Sequence, residues 1–525
     1  MIDDYIVFLS GTIPHGIAIL SAVLTLFAAV WLFVWKGTNF WSVRHYWKIL
    51  SRVYFIVIVA YVTYWLKNRP PPIPTRIIVV NSVAAETLSD SWQVVAARET
   101  IQRLLYYSKE NYVLLSGNES AALSNTDATP ESIEYFAAQM NVLWVIYVEG
   151  GSSDKGITVF VKKHTSNGYK SKKEITYEIS NFKSVVQLSE IVAGVIGHKE
   201  VSAAHAFLSL PDTSLSKYYK AINKLQQGEP DSAFRSLKEL VEYYPDSYEL
   251  RRDLAKCRMA SRPEFYRGEI KWHLTEALRL NPDDPEVLHM LGSIMLKYRQ
   301  WEEAESALKL SYSINKDDPR IYLLLSRLAK KRIEELGYKS NEELIARAIY
   351  LAPGYEAARL ALSQLKVSQL RKRKALNILN EGLEVDSTSQ SILLSKTAVL
   401  IELNEHPEAI ETCKQILIHN PKHGGALYNL GIVHLWRREF DRALTMFDSS
   451  LHNGGTVDNY YYKGVTYQEM GEWELAIKEF QRRYANPIGA EDRAAISARE
   501  RIKNLRLWIA QRDTVGQPDS LNQAG

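Results

Sequence analysis

Cysteine is nearly absent: Cys257 and Cys413 are the only two in 525 residues. They stand far apart, form no CxxC and match no metal-ligand spacing, so neither a disulfide framework nor a zinc site is read here. Both are taken as small apolar residues inside helices. An excess of one charge is also missing. A net charge of +4 is small for this length, and without a basic stripe there is no electrostatic footprint for nucleic acid. The strings of a P-loop, a dinucleotide fingerprint, an HExxH zinc site and a GxSxG elbow do not occur. Ser-x-x-Lys does occur, at Ser214–Lys217, but it returns at Ser306–Lys309 and Ser363–Lys366, the mark of chance. The histidines are scattered, with no i, i+4 pair on one helix. These absences point to a chain with no catalytic site, no metal and no cofactor.

What is present first is apolar. Residues 17–35 hold no charged side chain and, as a helix, would reach roughly 28 Å, about one hydrocarbon core. Trp31 and Trp35 stand where amphipathic rings favour an interface. A second run, 49–66, is long enough if Arg52 snorkels toward the head groups. Two transmembrane helices are therefore expected within a membrane anchor over residues 1–69. Asp3 and Asp4 occupy the place of a basic n-region, so a cleavable signal peptide is not expected. Lys36, Arg44, Lys48 and Arg52 lie between the two runs, against Lys67, Arg69 and Arg76 beyond them. The positive-inside rule then favours an inner (cytoplasmic) membrane, multi-pass protein with its large C-terminal part in the periplasm. Pro70, Pro71, Pro72 and Pro74 make residues 70–74 a short stiff spacer.

Residues 75–200 alternate strand and helix signals. Ile77–Val80 is a compact apolar run, the mark of a buried strand. Residues 88–108 show helical period, with Val94, Ala97, Ile101 and Leu104 on one face. Further strands are read at 112–115 and 142–148, with a helix opened by Pro130 between them. Ile157, Val159 and Val161 alternate with polar residues, as do Ile175, Tyr177 and Ile179, so two half-buried antiparallel strands follow. A helix over 182–196 closes the segment. The order β-α-β-α-β-β-β-α resembles the amino-terminal domain of the periplasmic protein TolB and related lipoproteins. The landmarks are the opening IIVV, the strand YVLL, the segment AAQMNVLWVIYVEGG and the strand GITVFV. That resemblance implies a non-enzymatic α/β domain of a kind found joined to repeat arrays.

From residue 212 onward small residues recur in pairs twelve apart. Gly292 pairs with Ala304, Gly431 with Ala443 and Gly464 with Ala476. Weaker pairs are Ala221 with Ala233, Ser363 with Ala375 and Thr397 with Ala409. Ala409, Ala443 and Ala476 step by 34 and 33 residues. Pro245, Pro282, Pro353 and Pro421 stand where second helices would end. This pattern resembles the tetratricopeptide repeat (TPR), a helical hairpin whose two helices cross closely at small residues. About eight units are read over 212–489, starting near 214, 251, 285, 322, 356, 390, 424 and 457, with those at 251 and 322 degenerate. Residues 490–512 form a capping helix, with Ala498, Ile502, Leu505 and Ile509 on one stripe. Residues 513–525 are read as a disordered tail. The fold class expected is mainly α: two transmembrane helices, a small α/β domain, then a right-handed TPR α-solenoid.

By resemblance to that family, four positions of each first helix line a concave groove. Here they include His289 and Leu296, Leu394 and Ile401, Tyr428, Ile432 and Leu435, then Tyr461, Val465 and Gln468. The wall is mostly apolar and aromatic, so the expected partner is a protein supplying an amphipathic helix or an extended apolar segment. Tyr428 and Tyr461 are the expected anchors; alternatively, these side chains pack on one another or on the C-terminal helix. The function expected is a membrane-anchored scaffold in a bacterial cell envelope, serving assembly or secretion machinery. The rival is a sensor in which the α/β domain binds a ligand and signals through a partner. The loop between the two apolar runs leaves no room for an output domain.

Overall fold

The computed structural model describes residues 75–81, 92–106, 112–115, 130–140, 142–150, 156–165, 168–179, 181–197, 210–488 and 492–515. Residues 74–525 form one compact unit.

The α/β part is a five-stranded sheet in the order β2-β1-β3-β4-β5. Its strands are β1 (Thr75–Asn81), β2 (Tyr112–Leu115), β3 (Val142–Gly150), β4 (Gly156–Thr165) and β5 (Gly168–Glu178). β1 pairs in parallel with β2 and β3, setting Ile77 opposite Leu114 on one side and Trp144 on the other. β3, β4 and β5 are antiparallel, with Val148 opposite Val159 and Val159 opposite Ile175. The helices are α1 (Trp92–Tyr106), α2 (Pro130–Gln139) and α3 (Phe182–Val195). α1 and α3 cover one sheet face, where Ile77, Val79, Ile146 and Val159 meet Val94, Ile101, Leu188 and Val192. α2 covers the other, where Ile78, Val145 and Tyr147 meet Ile133, Ala137 and Met140. Cover on both faces is why β1 reads as a continuous apolar run. β4 alternates buried Ile157, Val159 and Val161 with half-exposed neighbours, as period two requires. α3 opens with a reciprocal cap: the Asn181 side chain accepts from the Ser184 amide, and the Asn181 amide donates to the Ser184 hydroxyl.

Eight helical hairpins follow among the described residues. The first three are α4 (Asp212–Gln226) with α5 (Pro230–Tyr243), α6 (Tyr248–Ala260) with α7 (Arg267–Leu280), and α8 (Pro285–Lys297) with α9 (Trp301–Ile314). The fourth is irregular: α10 (Pro319–Leu325), a single extra turn α11 (Lys330–Glu335) and α12 (Asn341–Leu351). Then come α13 (Glu356–Ser368) with α14 (Lys372–Val385), and α15 (Gln390–Glu402) with α16 (His406–His419). The last two are α17 (Gly424–Trp436) with α18 (Phe440–His452), and α19 (Asp458–Met470) with α20 (Trp473–Ala485). Polar caps start many first helices. Asp284 accepts from the amides of Glu286 and Val287 ahead of Pro285, and Ser247 and Ser389 do the same work for α6 and α15. The small residues sit where the helices cross. A Cβ on Gly431 would lie 2.5 Å from the Phe447 ring, and one on Gly292 would lie 2.5 Å from Leu308. The turn inside each hairpin but the second contains one left-handed residue. Gly228, Gly337 and Gly471 supply it at three, while Arg299, Leu370, Asn404 and Arg438 adopt the same φ near +60° without being glycine. A final helix, α21 (Arg493–Val515), lays Ala498 and Ile502 on Ala476 and Phe480. Its other side, with Arg499, Glu500, Lys503 and Arg506, is exposed.

One expectation is corrected. The fold class read from the sequence included two transmembrane helices. No helix among the described residues is long and apolar enough to cross a membrane, and the runs at 17–35 and 49–66 lie outside the described residues. The fold that stands is a small α/β domain joined to an α-solenoid. The proline spacer and the tail beyond Val515 also lie outside the described residues.

Candidate functional site

The first helices of the hairpins form one continuous wall, and the α/β domain is seated on its N-terminal part. The helix that does so is α1. At its middle, Arg98 and Glu99 bond to the side chain of Gln226, at the C-terminal end of α4. Next to them, the Thr100 hydroxyl lies 3.3 Å from that of Tyr219. Arg103 donates to the Tyr218 hydroxyl at 2.8 Å and lies 3.6 Å from Asp253 on α6. At the end of α1, the Tyr106 hydroxyl donates to Asp318, the cap of α10, at 3.0 Å. The second half of α1 therefore runs obliquely, from the C-terminal end of the first wall helix to the N-terminal end of the fourth.

Apolar packing and charge both hold this contact. Ile101 and Leu105 share one core with Leu215, Tyr218, Phe234 and Leu254 of the first repeats. Under it lies a buried ion network. Arg252 is fully buried and donates to Asp253 at 2.9 Å; Lys256 reaches Glu286 at 2.7 Å. Burial alone would raise the Asp253 carboxyl, but Arg252, Lys256 and Arg103 outweigh it and hold the group below the usual carboxylate range. Burial likewise works against Glu286, and Lys256 and Arg252 overcome it. A second clasp sits on the other sheet face. Arg76, at the start of β1, donates to the carbonyls of Leu351, Tyr350 and Met140, tying the sheet to the end of α12. In the sequence Arg76 counted among flanking charges; here it is buried on carbonyl oxygens.

The ten groove residues expected from the sequence fall into three groups. His289 and Leu296 are on α8, next to the part of the wall that α1 occupies. Burial and the Arg320 charge push the His289 imidazole down to about 4, and its Nδ1 has no hydrogen-bond partner. Leu394, Ile401, Tyr428, Ile432, Leu435 and Val465 pack between neighbouring repeats. Ile401, Tyr428 and Val465 lie against the buried cluster of Ile432, Leu435 and Phe447, while Leu394 packs on the cluster of Leu393, Ile416 and Ala426. Tyr461 and Gln468 are engaged by α21. Arg501 donates to the Tyr461 hydroxyl at 3.0 Å and to Gln468 at 2.9 Å, and Ser497 lies 3.1 Å from the same hydroxyl. None of the ten is among the exposed large side chains.

The wall also has an open corner. A cavity of about 330 Å³ lies at the C-terminal ends of α6, α8 and α10. Met259, Ile294 and Leu296 line it, with Trp301 at one side and Lys297 and Arg327 at the rim. Of these, sequence reasoning singled out only Leu296. The Lys297 signal was the one available: it is the position after Leu296, at the end of a first helix, where a solvated lysine is ordinary. Both cysteines are buried in helices, their thiols pushed up to about 12 by burial. Among the described residues no group of three His, Cys, Asp or Glu side chains is placed to hold a metal.

The tetratricopeptide-repeat family models match residues 216–247 and 273–328, so the chain carries these repeats. The human protein O-mannosyl-transferase TMTC3 is 25% identical over 179 residues, which is 31% of this chain and 19% of that protein. The chain thus spans about a fifth of the curated relative that it matches. Among solved structures, yeast Tom70 is 12% identical, covering 57% of this chain and 65% of that one, with a TM-score of 0.43. The human IFIT1 dimer with m7Gppp-AAAA is 13% identical, covering 63% and 79%, with a TM-score of 0.43.

Proposed function

We propose that this chain, carrying tetratricopeptide repeats, works by binding proteins rather than by catalysis: a scaffold whose repeat wall receives a segment of a partner. The observation that supports this most is α1. A helix of the chain itself lies across the first-helix wall, held by apolar contacts, tyrosine hydroxyls and ion pairs. A surface that takes one helix in this way suits a partner's amphipathic helix or extended apolar segment. The part of the wall past α14, including Ile401 and Tyr428, belongs to repeats beyond the last helix against which α2 packs. The α/β domain is read as TolB amino-terminal-like on its element order and on the landmarks IIVV, YVLL, AAQMNVLWVIYVEGG and GITVFV.

Residence at the inner membrane of a bacterial envelope, with the C-terminal part in the periplasm and with assembly or secretion machinery as partner, belongs to the same proposal. Its support is the composition and charge of residues 1–76. A photo-crosslinking amino acid at Tyr428 or Ile401, with one at the exposed Ile418 as control, tests the scaffold reading in cells. The expected result is a discrete partner band from the wall positions and none from Ile418. Equal labelling at all three positions, or none, would remove it. Protease added to spheroplasts tests the side of the membrane: repeats that stay protected sink the periplasmic placement.

A further inference from the structure

The oblique course of α1 leaves one corner of the wall uncovered, and that corner has a chemistry of its own. α1 starts with Trp92 stacked on Tyr219 of α4, meets the C-terminal end of α4 at its middle through Glu99, and finishes over the N-terminal cap of α10. Its diagonal misses the C-terminal ends of α6, α8 and α10, and the cavity of about 330 Å³ opens there. That size is at the low end of the roughly 300–1,000 Å³ of ligand clefts, room for one or two large side chains. The floor is apolar, from Met259, Ile294 and Leu296, and Trp301 stands beside it 42% exposed. Aromatic rings in such positions dominate recognition energy.

The rim is cationic. Lys297 and Arg327 are both exposed, and among the described residues neither is paired with a carboxylate. Lys256, on the same wall, is held by Glu286 at 2.7 Å. The exposed Arg262 and Arg299 lie one to three residues from lining positions, as does Lys330, which pairs with Glu334 at 3.7 Å; of the neighbouring exposed acids Glu264, Glu302 and Glu303, the last two are engaged by Arg332 at 3.3 Å and Lys271 at 2.6 Å. Unpaired cations around an apolar floor complement an apolar group flanked by negative charge.

The geometry points to an acidic amphipathic segment of a protein partner as the occupant of this cavity: a bulky apolar side chain beside Trp301, with carboxylates on Lys297 and Arg327. This rests on the reading of the array as a protein-binding surface and adds where, and with what charge, a partner docks. A nucleic acid fits less well. It needs a track of cations spaced along a backbone, and here two cations border a greasy floor.

The test uses the full-length protein and two fluorescein-labelled fifteen-residue peptides. One alternates Leu or Phe with Glu and Asp; the other has the same apolar residues with Lys. Anisotropy is measured for the wild type, K297E/R327E, Trp301→Ala and the remote charge control Lys414→Glu. The expected result is binding of the acidic peptide only. K297E/R327E should weaken it by about tenfold or more, and salt should weaken it as well. Trp301→Ala should weaken it without removing the salt dependence, and Lys414→Glu should leave it unchanged. Acidic-peptide binding that is indifferent to both cavity variants would overturn the cavity as the site while leaving the scaffold reading intact. Tighter binding of poly-U RNA than of peptide, lost in K297E/R327E, would overturn the peptide as the ligand. No binding of either peptide, with crosslinks still formed at Tyr428, would likewise overturn it without touching the scaffold.

Discussion

Arg103 in the α/β domain and Asp253 in the second repeat lie 3.6 Å apart, with the Tyr218 hydroxyl accepting from the first and donating to the second. The two partners are not equivalent. Asp253 also answers Arg252, which is fully buried. Asp253→Ala therefore removes the carboxylate shared by Arg103, Arg252 and Lys256 and is expected to destabilise by about 3–5 kcal/mol. Arg103→Ala leaves Asp253 with Arg252 and Lys256, so its cost should be nearer about 1–2 kcal/mol. Urea unfolding followed by circular dichroism checks the ranking. An Arg103→Ala loss as large as that of Asp253→Ala would contradict it.

The helix crossings make a second prediction. A methyl group on Gly431 meets the buried Phe447 ring at 2.5 Å, so the ring or the helix must move. Gly431→Ala should cost about 1–3 kcal/mol by overpacking. Gly454 has open space around it but a φ of +73°, so Gly454→Ala acts through backbone strain alone. Pairing Gly431→Ala with Phe447→Leu should recover part of the loss, whereas the same second change cannot help Gly454→Ala. Thermal melts of the four variants decide this.

Acid should loosen the seat of the α/β domain in two stages. His289 faces Arg320, Asp318, Glu286 and Lys256, and its value drops from 6.5 to about 4. The unfolded chain then binds the extra proton first, so stability is full above pH 6.5 and falls as the pH drops toward 4. Asp318 shifts the other kind of group the same way. Burial would raise it, but Arg320 holds it at about 2 against 3.8. Its contribution is present above pH 3.8 and lost as the pH falls toward 2. Replacing His289 by Gln should lessen the fall in melting temperature between pH 6.5 and 4, and adding His273→Gln, a second imidazole that burial lowers to about 4, should flatten it while leaving the decline below 4 in place. An unchanged slope in the upper range would exclude His289 as its source.

Arg483 fastens the end of the array. Its fully buried guanidinium bonds Asp458 at 2.7 Å on one repeat helix and Asp492 at 2.7 Å just before α21, with the Asn486 carbonyl at 2.9 Å. Lysine cannot span three acceptors in one plane. Arg483→Lys and Arg483→Ala should both release α21, exposing the segment near Ile488 to protease. The Trp473–Trp508 edge contact, 4.8 Å between ring centres, should break with it and shift the tryptophan emission. Resistance to cleavage in both variants would show that apolar packing on Phe480 is enough.

Much of this architecture could be read from local pattern. The Gly431–Ala443 and Gly464–Ala476 spacings place a helix crossing because both partners lie in one hairpin. Period two placed Ile157, Val159 and Val161 inward for the same reason. The seat of α1 was out of reach, since Arg103 meets Asp253 only through the fold, and Arg251-Arg252-Asp253 reads in sequence as a solvated charged face. The groove positions were inferred as if the wall were open. Tyr461 and Gln468 instead meet α21, and Ile432 and Leu435 are buried beside Phe447. The cavity joins Met259, Leu296 and Arg327 from three consecutive repeats, a juxtaposition that no short window contains.

The shared core under α1 also sets an order of events during synthesis. Ile101 and Leu105 leave the ribosome well before Tyr218, Leu254 and the cap at Asp318 exist to receive them. The nascent α/β domain must wait with one oily flank bare, for several seconds at about 5–20 residues per second. Each later hairpin, by contrast, needs only the neighbour already made. A ribosome paused near residue 200 would hold the chain at its most aggregation-prone, and that is the length at which a chaperone would be most needed.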